Sequence, residues 1–325
     1  MIWSISSYKQ FGKCPRQWYY RNIVADARVK NDAYRKEITI LSKLQSIEAW
    51  RGTIVDNVIS RLLVFAINNR MPVDKNYFLK EAEKIFNTQF QYAVFQKYRE
   101  PNAKISGNDD FAAFFKTEFG EYIPNEEIQK AKSDIQIALN NLLDDNEFIA
   151  YLQSSSFLMS QRPLTYAHDR FTVKSIPDLI AFFDNRPPHI FDWKVHTYGN
   201  NTYDEQLISY AIALYKVAHS KPHKDFPKNI KNYKVFDYRI TEYQLLHKER
   251  IKRDYEVTYE RLEELGSKMS QSMMEIYMAG GHKKFNDLSP ENFETTAYIE
   301  NCVNCPFKNN CNTENHDIRN KHLQN

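Results

Sequence analysis

Two aspartates and one lysine lie at the ends of neighbouring apolar runs, and their spacing suggests chemistry. Asp178 directly precedes the apolar run 179–183, and Asp192 and Lys194 lie two residues apart in the next run. Residues two apart on a β-strand project from the same face, so we predict that Asp192 and Lys194 point the same way. The turn-rich segment 184–188 separates the runs, and Asp178 is therefore expected to open the neighbouring strand of a hairpin, close to Asp192.

This aspartate pair predicts a metal site. Two adjacent carboxylates repel when both are ionised unless a cation lies between them, and hard oxygen ligands suit Mg²⁺ or Mn²⁺. Such an ion polarises a phosphoryl oxygen and lowers the pKa of a bound water, while the Lys194 ammonium could orient that water or offset charge on the phosphate. The alternative is a surface hairpin with a weak ion pair. Phe191 and Trp193 favour a buried strand, and a buried aspartate needs a partner or a metal.

Two further polar candidates lie on the helix predicted at about 203–218. Gln206 and Tyr210 are four residues apart and so share one face of that helix. Each side chain can hydrogen-bond a phosphate or a neighbouring catalytic group. An ordinary polar stripe is the alternative, and the position one helix after Asp192 and Lys194 makes that alternative less attractive.

The four cysteines predict a second metal centre. Three of them form a C-x₂-C-x₅-C run near the C-terminus, and the fourth lies near the N-terminus: Cys302, Cys305, Cys311 and Cys14. The spacing C-x₂-C is typical of metal binding, and four thiolates suit either tetrahedral zinc or an iron–sulfur cluster. Two disulfides are the other alternative, which a reducing compartment disfavours.

The elements that position these residues suggest a small α/β core surrounded by helices. The predicted order is a helical lead-in at 4–22, a long amphipathic helix at 45–69, a polar helical block at 75–150, a group of short strands, one helix, one further strand and a long charged helix. The later elements are expected at 157–164, 171–175, 179–183, 189–195, 203–218, 233–240 and 242–279.

Composition is that of an ordinary globular protein. The chain has 325 residues, of which 42% are hydrophobic, and a net charge of +3, which permits a nucleic-acid partner without requiring one. The segment 216–253 is locally basic, and by itself it favours a solvated surface over a nucleic-acid contact. We expect no membrane span and no signal peptide, hence a cytoplasmic location. A P-loop is absent from the sequence, so any helicase activity must come from another chain.

Taken in order, the motifs resemble those of the PD-(D/E)XK nuclease superfamily, in particular the iron–sulfur RecB/AddB-like branch. That branch includes AddB nuclease domains and CRISPR-associated RecB-like exonucleases. Only the block at about 70–150 has no motif to match. The matching pieces are segment 4–8, segment 14–20, Gly52 to Asp56, Pro177-Asp178, Asp192-Trp193-Lys194, Gln206 to Tyr210 and the closing cysteine run.

The resemblance implies a restriction-endonuclease-like core, a small mixed β-sheet flanked by helices, with a large helical N-terminal part. It implies that Asp178 and Asp192 are ligands of Mg²⁺ or Mn²⁺, that Lys194 is the catalytic lysine, and that Gln206 and Tyr210 complete the site. The four cysteines would hold a 4Fe-4S cluster. The expected divisions are an N-terminal segment with the first cysteine, a helical region, a nuclease core and a C-terminal cysteine segment, at 1–44, 45–155, 156–280 and 281–325.

Three positions depart from the family pattern. Asp56 stands where the family often has histidine, and aspartate is still a good ligand for a hard metal. Pro177 replaces the residue more often found before the first aspartate, which could shift the start of that strand. His196 occupies a position where a small hydroxyl residue is common.

The first functional hypothesis is a DNA exonuclease or end-processing nuclease, with the preference for single-stranded ends coming from the resemblance alone. Trp18, Tyr19 and Tyr20 could stack bases or belong to the core. The second hypothesis is a DNA-binding or scaffold subunit with weak or no catalysis, which Asp56 motivates. Helicase, CRISPR or repair proteins are possible partners.

Overall fold

The computed structural model describes residues 1–29, 31–105, 107–196 and 204–311. The regular secondary structure of its N-terminal half is mostly helical, and its strands lie mainly between residues 157 and 255. The helices are α1 Ile5–Lys13, α2 Pro15–Tyr19, α3 Ala33–Leu41, α4 Ile47–Val58, α5 Val64–Asn68, α6 Lys75–Val94, α7 Phe115–Glu118, α8 Asn125–Leu143, α9 Asn146–Gln153, α10 Asp204–Ser220, α11 Tyr259–Met278 and α12 Glu300–Val303.

The strands form two sheets. A sheet of five strands has the order β2-β5-β6-β7-β8, and a sheet of three has the order β1-β4-β3. In the larger sheet only β6 and β7 run parallel, and α10 provides the crossover that a parallel pair requires. The strand bounds are β1 Ile2–Trp3, β2 Phe157–Ser160, β3 Leu164–His168, β4 Phe171–Ser175, β5 Leu179–Phe182, β6 His189–Lys194, β7 Arg239–Gln244 and β8 Lys252–Tyr255.

The larger sheet lies between two hydrophobic cores. Along β6, Ile190 belongs to one core with α10 and α11. Phe191 and Trp193 belong to the other, which packs α4, α6, α8 and α9 against the opposite face. This alternation follows from the two-residue period of a strand. A mixed sheet covered by helices confirms the predicted restriction-endonuclease-like α/β class, with its large helical N-terminal part.

Most of the predicted early elements are present. The helix predicted at 45–69 is observed as α4, a π-helical turn at Ile59–Leu63, and α5. Ser46 begins it by accepting a hydrogen bond from the backbone nitrogen of Ala49 at 3.1 Å, as an N-cap serine does. The predicted strands at 171–175, 179–183 and 189–195 are confirmed to within one residue. Within the described ranges, no helix is both long and apolar enough to cross a bilayer.

Three predicted elements are wrong. The strand expected at 157–164 ends at Ser160, because Gln161 takes a left-handed backbone conformation (φ 49°) and a separate strand, β3, begins after Pro163. Segment 233–240 contains a 3₁₀ turn at Val235–Asp237, and the strand begins only at Arg239, as β7.

The helix expected at 242–279 is the third of these errors. The part of this range before Tyr259 contains the end of strand β7, a turn and strand β8, and the helix begins only at Tyr259. Charged residues in this segment suggested an exposed helix. In the structure Glu242 and Gln244 are buried in the sheet beside β6, so tertiary packing decides the local conformation.

Candidate active site

The β5–β6 hairpin brings Asp178 to Asp192. The antiparallel register pairs Leu179 with Phe191, which sets Asp178, just before β5, opposite Asp192. The backbone nitrogen of Trp193 donates to Asp178 Oδ2 at 3.0 Å, and Gln161 Nε2 donates to Asp178 Oδ1 at 3.1 Å. Pro177 is buried ahead of this strand, and the hairpin places the two aspartates together in spite of that departure.

Asp192 is the centre of the arrangement. It is only 1% exposed, and its Oδ2 lies against the ammonium of Lys194, which is itself buried. The two side chains project from the same face of β6, while Trp193 packs into the opposite core. These positions match what the period of a strand requires of residues two apart.

Helix α10 covers the same face of the sheet and supplies Gln206 and Tyr210. Gln206 Nε2 donates to Asp192 Oδ1 at 3.1 Å and to the Tyr210 hydroxyl at 2.6 Å. The amide therefore connects the central carboxylate to the phenol. Burial, followed by the charges of Asp192 and Asp178, raises the pKa of Tyr210, so the phenol keeps its proton at neutral pH.

Asp56 approaches the group from helix α4. Burial and, to a smaller extent, the charge of Asp192 raise its pKa to about 7, although the charge of Lys194 opposes the shift. The carboxylate of Asp56 therefore lies close enough to the β5–β6 hairpin for the charges of Asp192 and Lys194 to act on it. The structure thus brings together Asp56, Asp178, Asp192 and Lys194 from one helix and two strands.

The three carboxylates resist ionising together. Burial and the charges of Asp192 and Asp56 hold the pKa of Asp178 well above its usual range. Burial also raises the pKa of Asp192, although Lys194 opposes that effect. Carboxylates gathered in this way favour the binding of a proton or a cation.

The carboxylate oxygens of Asp56, Asp178 and Asp192 are the kind of ligand that a hard divalent ion prefers. Asp192 Oδ2 is buried and, among the described residues, receives no well-directed hydrogen bond in addition to its ion-pair contact with Lys194. In the part of the chain that the structure describes, no three His, Cys, Asp or Glu side chains are arranged so that they could hold a metal ion as they stand. For the three aspartates to share an ion, their side chains must turn toward one another.

Two buried residues beside the site were not predicted. Glu242 is the register partner of Asp192 on β7, is 0% exposed, and accepts hydrogen bonds from Gln244 and from the Tyr255 hydroxyl, the latter at 3.1 Å. No local pattern reveals it, because the residues from Ile240 to Gln244 are all buried, polar and apolar alike, and the segment was assigned to a helix.

Arg51, one turn before Asp56, is the second missed residue. Its Nε donates to the backbone carbonyl of Val195 at 3.2 Å, and its Nη1 pairs with the buried Asp134 of α8. Since Arg51 and Asp134 are 83 residues apart, no local pattern predicts the pair.

The four cysteines line one cavity, together with Gln17 and Tyr20. Burial and the nearby thiols of Cys14 and Cys311 raise the pKa of Cys305 to about 11, although a backbone hydrogen bond and Arg21 oppose the shift. Four thiols around one cavity fit a thiolate-ligated metal centre, although their positions too fall short of a formed metal site.

The aromatic residues after Cys14 belong to the core. Trp18, Tyr19 and Tyr20 are each 1% exposed; Tyr19 stacks against Phe293 near the C-terminal segment, and the Trp18 ring packs against it at a tilt. They therefore join the two ends of the chain and are not available to stack bases. His196, the last described residue before the next gap, lies two residues after the end of β6 and is half-buried.

Comparison with known families agrees with this geometry. The sequence matches the profile of the PD-(D/E)XK nuclease superfamily over residues 2–312, which is nearly the whole chain. The chain therefore belongs to the PD-(D/E)XK nuclease superfamily, whose members are typically nucleases that use Mg²⁺ or Mn²⁺. A search of curated proteins found no match.

Proposed function

We propose that this protein is a metal-dependent DNA nuclease that trims DNA ends, with a preference for single-stranded ends. Membership of the nuclease superfamily supports phosphodiester hydrolysis. The single observation that carries the assignment is that Asp178, Asp192 and Lys194 meet at the hairpin, where the charges of Asp192 and Lys194 also act on Asp56 of α4. The substrate strand and the mode of cutting come from the sequence resemblance.

In this proposal Asp56, Asp178 and Asp192 hold Mg²⁺ or Mn²⁺. When bound, the ion supplies a polarised phosphoryl oxygen and a more acidic water. Lys194 orients the attacking water or offsets the charge that develops on the phosphate. Gln206 holds Asp192 Oδ1 in place and is positioned in turn by Tyr210.

The test is cleavage of end-labelled single-stranded and double-stranded DNA in Mg²⁺ or Mn²⁺, with EDTA as the negative control. Asp192→Asn should reduce the rate about 10²-fold or more, because it removes charge where the ion binds. Asp184→Asn is the matched control, since Asp184 is exposed in the turn of the same hairpin. Full activity in Asp192→Asn would remove the catalytic assignment.

A DNA-binding or scaffold subunit with the same fold is the second candidate. Two observations favour it: aspartate replaces the family's usual histidine at Asp56, and the carboxylates do not stand ready around an ion. A purified protein that binds DNA but leaves it intact in both Mg²⁺ and Mn²⁺ would select this candidate over the nuclease.

We propose further that Cys14, Cys302, Cys305 and Cys311 hold a 4Fe-4S cluster. Their shared cavity supports a thiolate-ligated centre, and the iron–sulfur choice over zinc comes from the resemblance. Protein purified without oxygen should be brown and contain iron and sulfide. A colourless, zinc-loaded and folded protein would refute the cluster and leave the nuclease proposal standing.

We propose a cytoplasmic location for the protein and other proteins that prepare its DNA substrate. A cytoplasmic location keeps thiols reduced and available as ligands. Because the sequence contains no P-loop, DNA unwinding would come from a separate helicase, or from CRISPR or repair proteins that prepare ends.

A further inference from the structure

Gly52 lies inside helix α4, one turn before Asp56. Glycine in a helix interior costs about 0.5–1 kcal/mol relative to alanine, because its backbone loses more freedom on folding. A glycine at such a position therefore needs a compensating reason. The usual reasons are a left-handed backbone or a neighbour that a side chain would strike.

Neither of these reasons applies to Gly52. Its backbone is helical, and among the described residues a Cβ built on it would meet no heavy atom within 4 Å, its own turn of helix apart. The residue is half-buried, so the space above it opens toward solvent. The fold itself would accept alanine at this position.

That open space adjoins the carboxylate of Asp56. Residues four apart lie on one face of a helix, and side chains lean toward the N-terminus. The Asp56 side chain therefore lies over the turn that contains Gly52. Arg51, Ile54 and Val55 on this helix are buried, whereas Gly52 and Asp56 are half-buried, so both keep some access to solvent on their shared side of the helix.

We propose that Gly52 is a clearance residue: it leaves room for the phosphate backbone of the DNA strand beside the carboxylates. The inference rests on the nuclease function proposed above. A DNA strand must bring its scissile phosphate against Asp56, Asp178 and Asp192, and a side chain at position 52 would occupy part of that approach. Glycine at position 52 makes the helix less stable than alanine would, and it keeps the approach of the substrate open.

The experiment compares Gly52→Ala and Gly52→Val with Gly266→Ala in the full chain. Gly266 is the matched control, a half-buried glycine inside α11 whose added Cβ also meets nothing within 4 Å. Three quantities are measured for each protein: the melting temperature, the affinity for Mn²⁺, and kcat/KM on a labelled single-stranded oligonucleotide.

Both alanine variants should melt about 1–3 °C higher than the unmodified protein. Gly52→Ala should lower kcat/KM about tenfold and Gly52→Val more, with Mn²⁺ affinity unchanged, because the strand and not the ion is displaced. Gly266→Ala should leave kcat/KM unchanged. A Gly52→Ala variant that is more stable and less active than the unmodified protein distinguishes clearance from a merely structural role, which would lower both stability and activity.

Unchanged kcat/KM in both Gly52 variants overturns the proposal, and so does a loss of Mn²⁺ binding in Gly52→Ala, since the glycine would then serve the ion. Failure of the nuclease function is distinguishable. If the nuclease function is wrong, the unmodified protein leaves the oligonucleotide intact, or the Asp192→Asn variant cuts it as fast as the unmodified protein does.

Discussion

At the scale of the residue, Asp192 holds the site together because its two oxygens have different partners. Oδ1 accepts from Gln206, and Oδ2 lies against Lys194. The carboxylate is thus fixed in orientation by an amide and balanced in charge by an ammonium. A buried ion pair of this kind is costly to break on one side only, because the remaining charge stays buried.

Gln206 should contribute more to the cleavage rate than Tyr210. Gln206→Leu removes the donor to Asp192 Oδ1 and should lower kcat about tenfold or more, because a misplaced carboxylate weakens the site. Tyr210→Phe removes only the hydroxyl that contacts Gln206 and should cost about threefold or less. Steady-state kinetics on labelled DNA compares the two variants. A larger loss in Tyr210→Phe than in Gln206→Leu would contradict this hierarchy.

Asp56 should make the metal-free protein sensitive to pH. Its folded pKa of about 7 lies above the ordinary value of 3.8, so the stability it contributes is complete at low pH and is lost as pH rises through about 7. In EDTA, Asp56→Asn should therefore be more stable than the unmodified protein at about pH 8, by about 1–2 kcal/mol. Saturating Mn²⁺ should reverse that order, because the ion binds only the folded protein.

Urea denaturation across this pH range, with and without Mn²⁺, tests the expectation for Asp56. The exposed Asp110→Asn serves as the control and should follow the unmodified protein at every pH. If Asp56→Asn showed the same pH profile as Asp110→Asn in EDTA, the carboxylate of Asp56 would not belong to the group.

At the scale of the element, the site depends on how α4 is fixed to β6. Arg51 of α4 contacts the carbonyl of Val195, the residue after Lys194, and the buried carboxylate of Asp134 on α8. One guanidinium thereby ties the helix that carries Asp56 to the strand that carries Asp192. Arginine suits this role because it makes both contacts at once.

Variants that remove the Arg51 contacts should change the stability of the fold and the cleavage rate by different amounts. Arg51→Met should destabilise the fold by about 1–3 kcal/mol, because Asp134 loses its buried partner and keeps the contact with the more exposed Lys130, at 3.0 Å. The double variant Arg51→Met/Asp134→Leu removes both charges and should recover most of that stability. It should still cut DNA more slowly than the unmodified protein, since α4 has lost its contact with Val195. Chemical denaturation and a cleavage assay together test this, and full activity in the double variant contradicts it.

His189, at the start of β6, should make the sheet acid-sensitive. Burial, then the charges of Arg239 and Arg186, lower its pKa to about 2, and its ring nitrogens contact Tyr151 and Thr241 at 2.9 and 2.6 Å. The unfolded chain takes up a proton below about pH 6.5 and the folded protein does not, so stability falls as pH drops below that value.

Between about pH 7 and pH 5, His189→Gln should lose about 1–2 kcal/mol less stability than the unmodified protein. The exposed His282→Gln is the control and should leave the slope unchanged. Equal slopes for the unmodified protein and His189→Gln would show that the imidazole is protonated in the folded state.

The elements also show what the sequence could predict. The hairpin was predictable because two apolar runs flank a turn and because a strand has a two-residue period. Strand β7 was missed because Glu242 and Gln244 are polar yet buried, which only the neighbouring strand explains. The start of α11 had a local signal, since Thr258 caps it by accepting from the nitrogen of Arg261 at 3.3 Å.

At the scale of the whole molecule, the two ends of the chain meet at the cysteine cavity. Arg16 Nε donates to the carbonyl of Phe293 at 3.0 Å, and the Tyr20 hydroxyl donates to the carbonyl of Asn310 at 2.7 Å. The sequence predicted this meeting from the cysteines alone, because three clustered thiols leave a four-ligand centre incomplete without Cys14. The aromatic contacts that support it were not predictable from spacing.

Loss of one ligand should loosen both ends together. Cys305→Ser should remove the iron and the visible colour and speed proteolysis both near the C-terminal cysteines and within segment 4–24, while α4 to α9 stay protected. Mass spectrometry of the fragments locates the cuts. Proteolysis confined to the C-terminal segment would mean that the protein contacts alone hold the N-terminus.

The central claim is that Asp56, Asp178 and Asp192 share one divalent cation. The most direct measurement is an anomalous difference map from a crystal of this protein soaked in Mn²⁺, with Asp192→Asn crystals treated in the same way. We predict one strong peak in contact with all three carboxylates and its loss in the variant. A protein that cuts DNA in Mn²⁺ while its peak lies away from these residues would contradict the account.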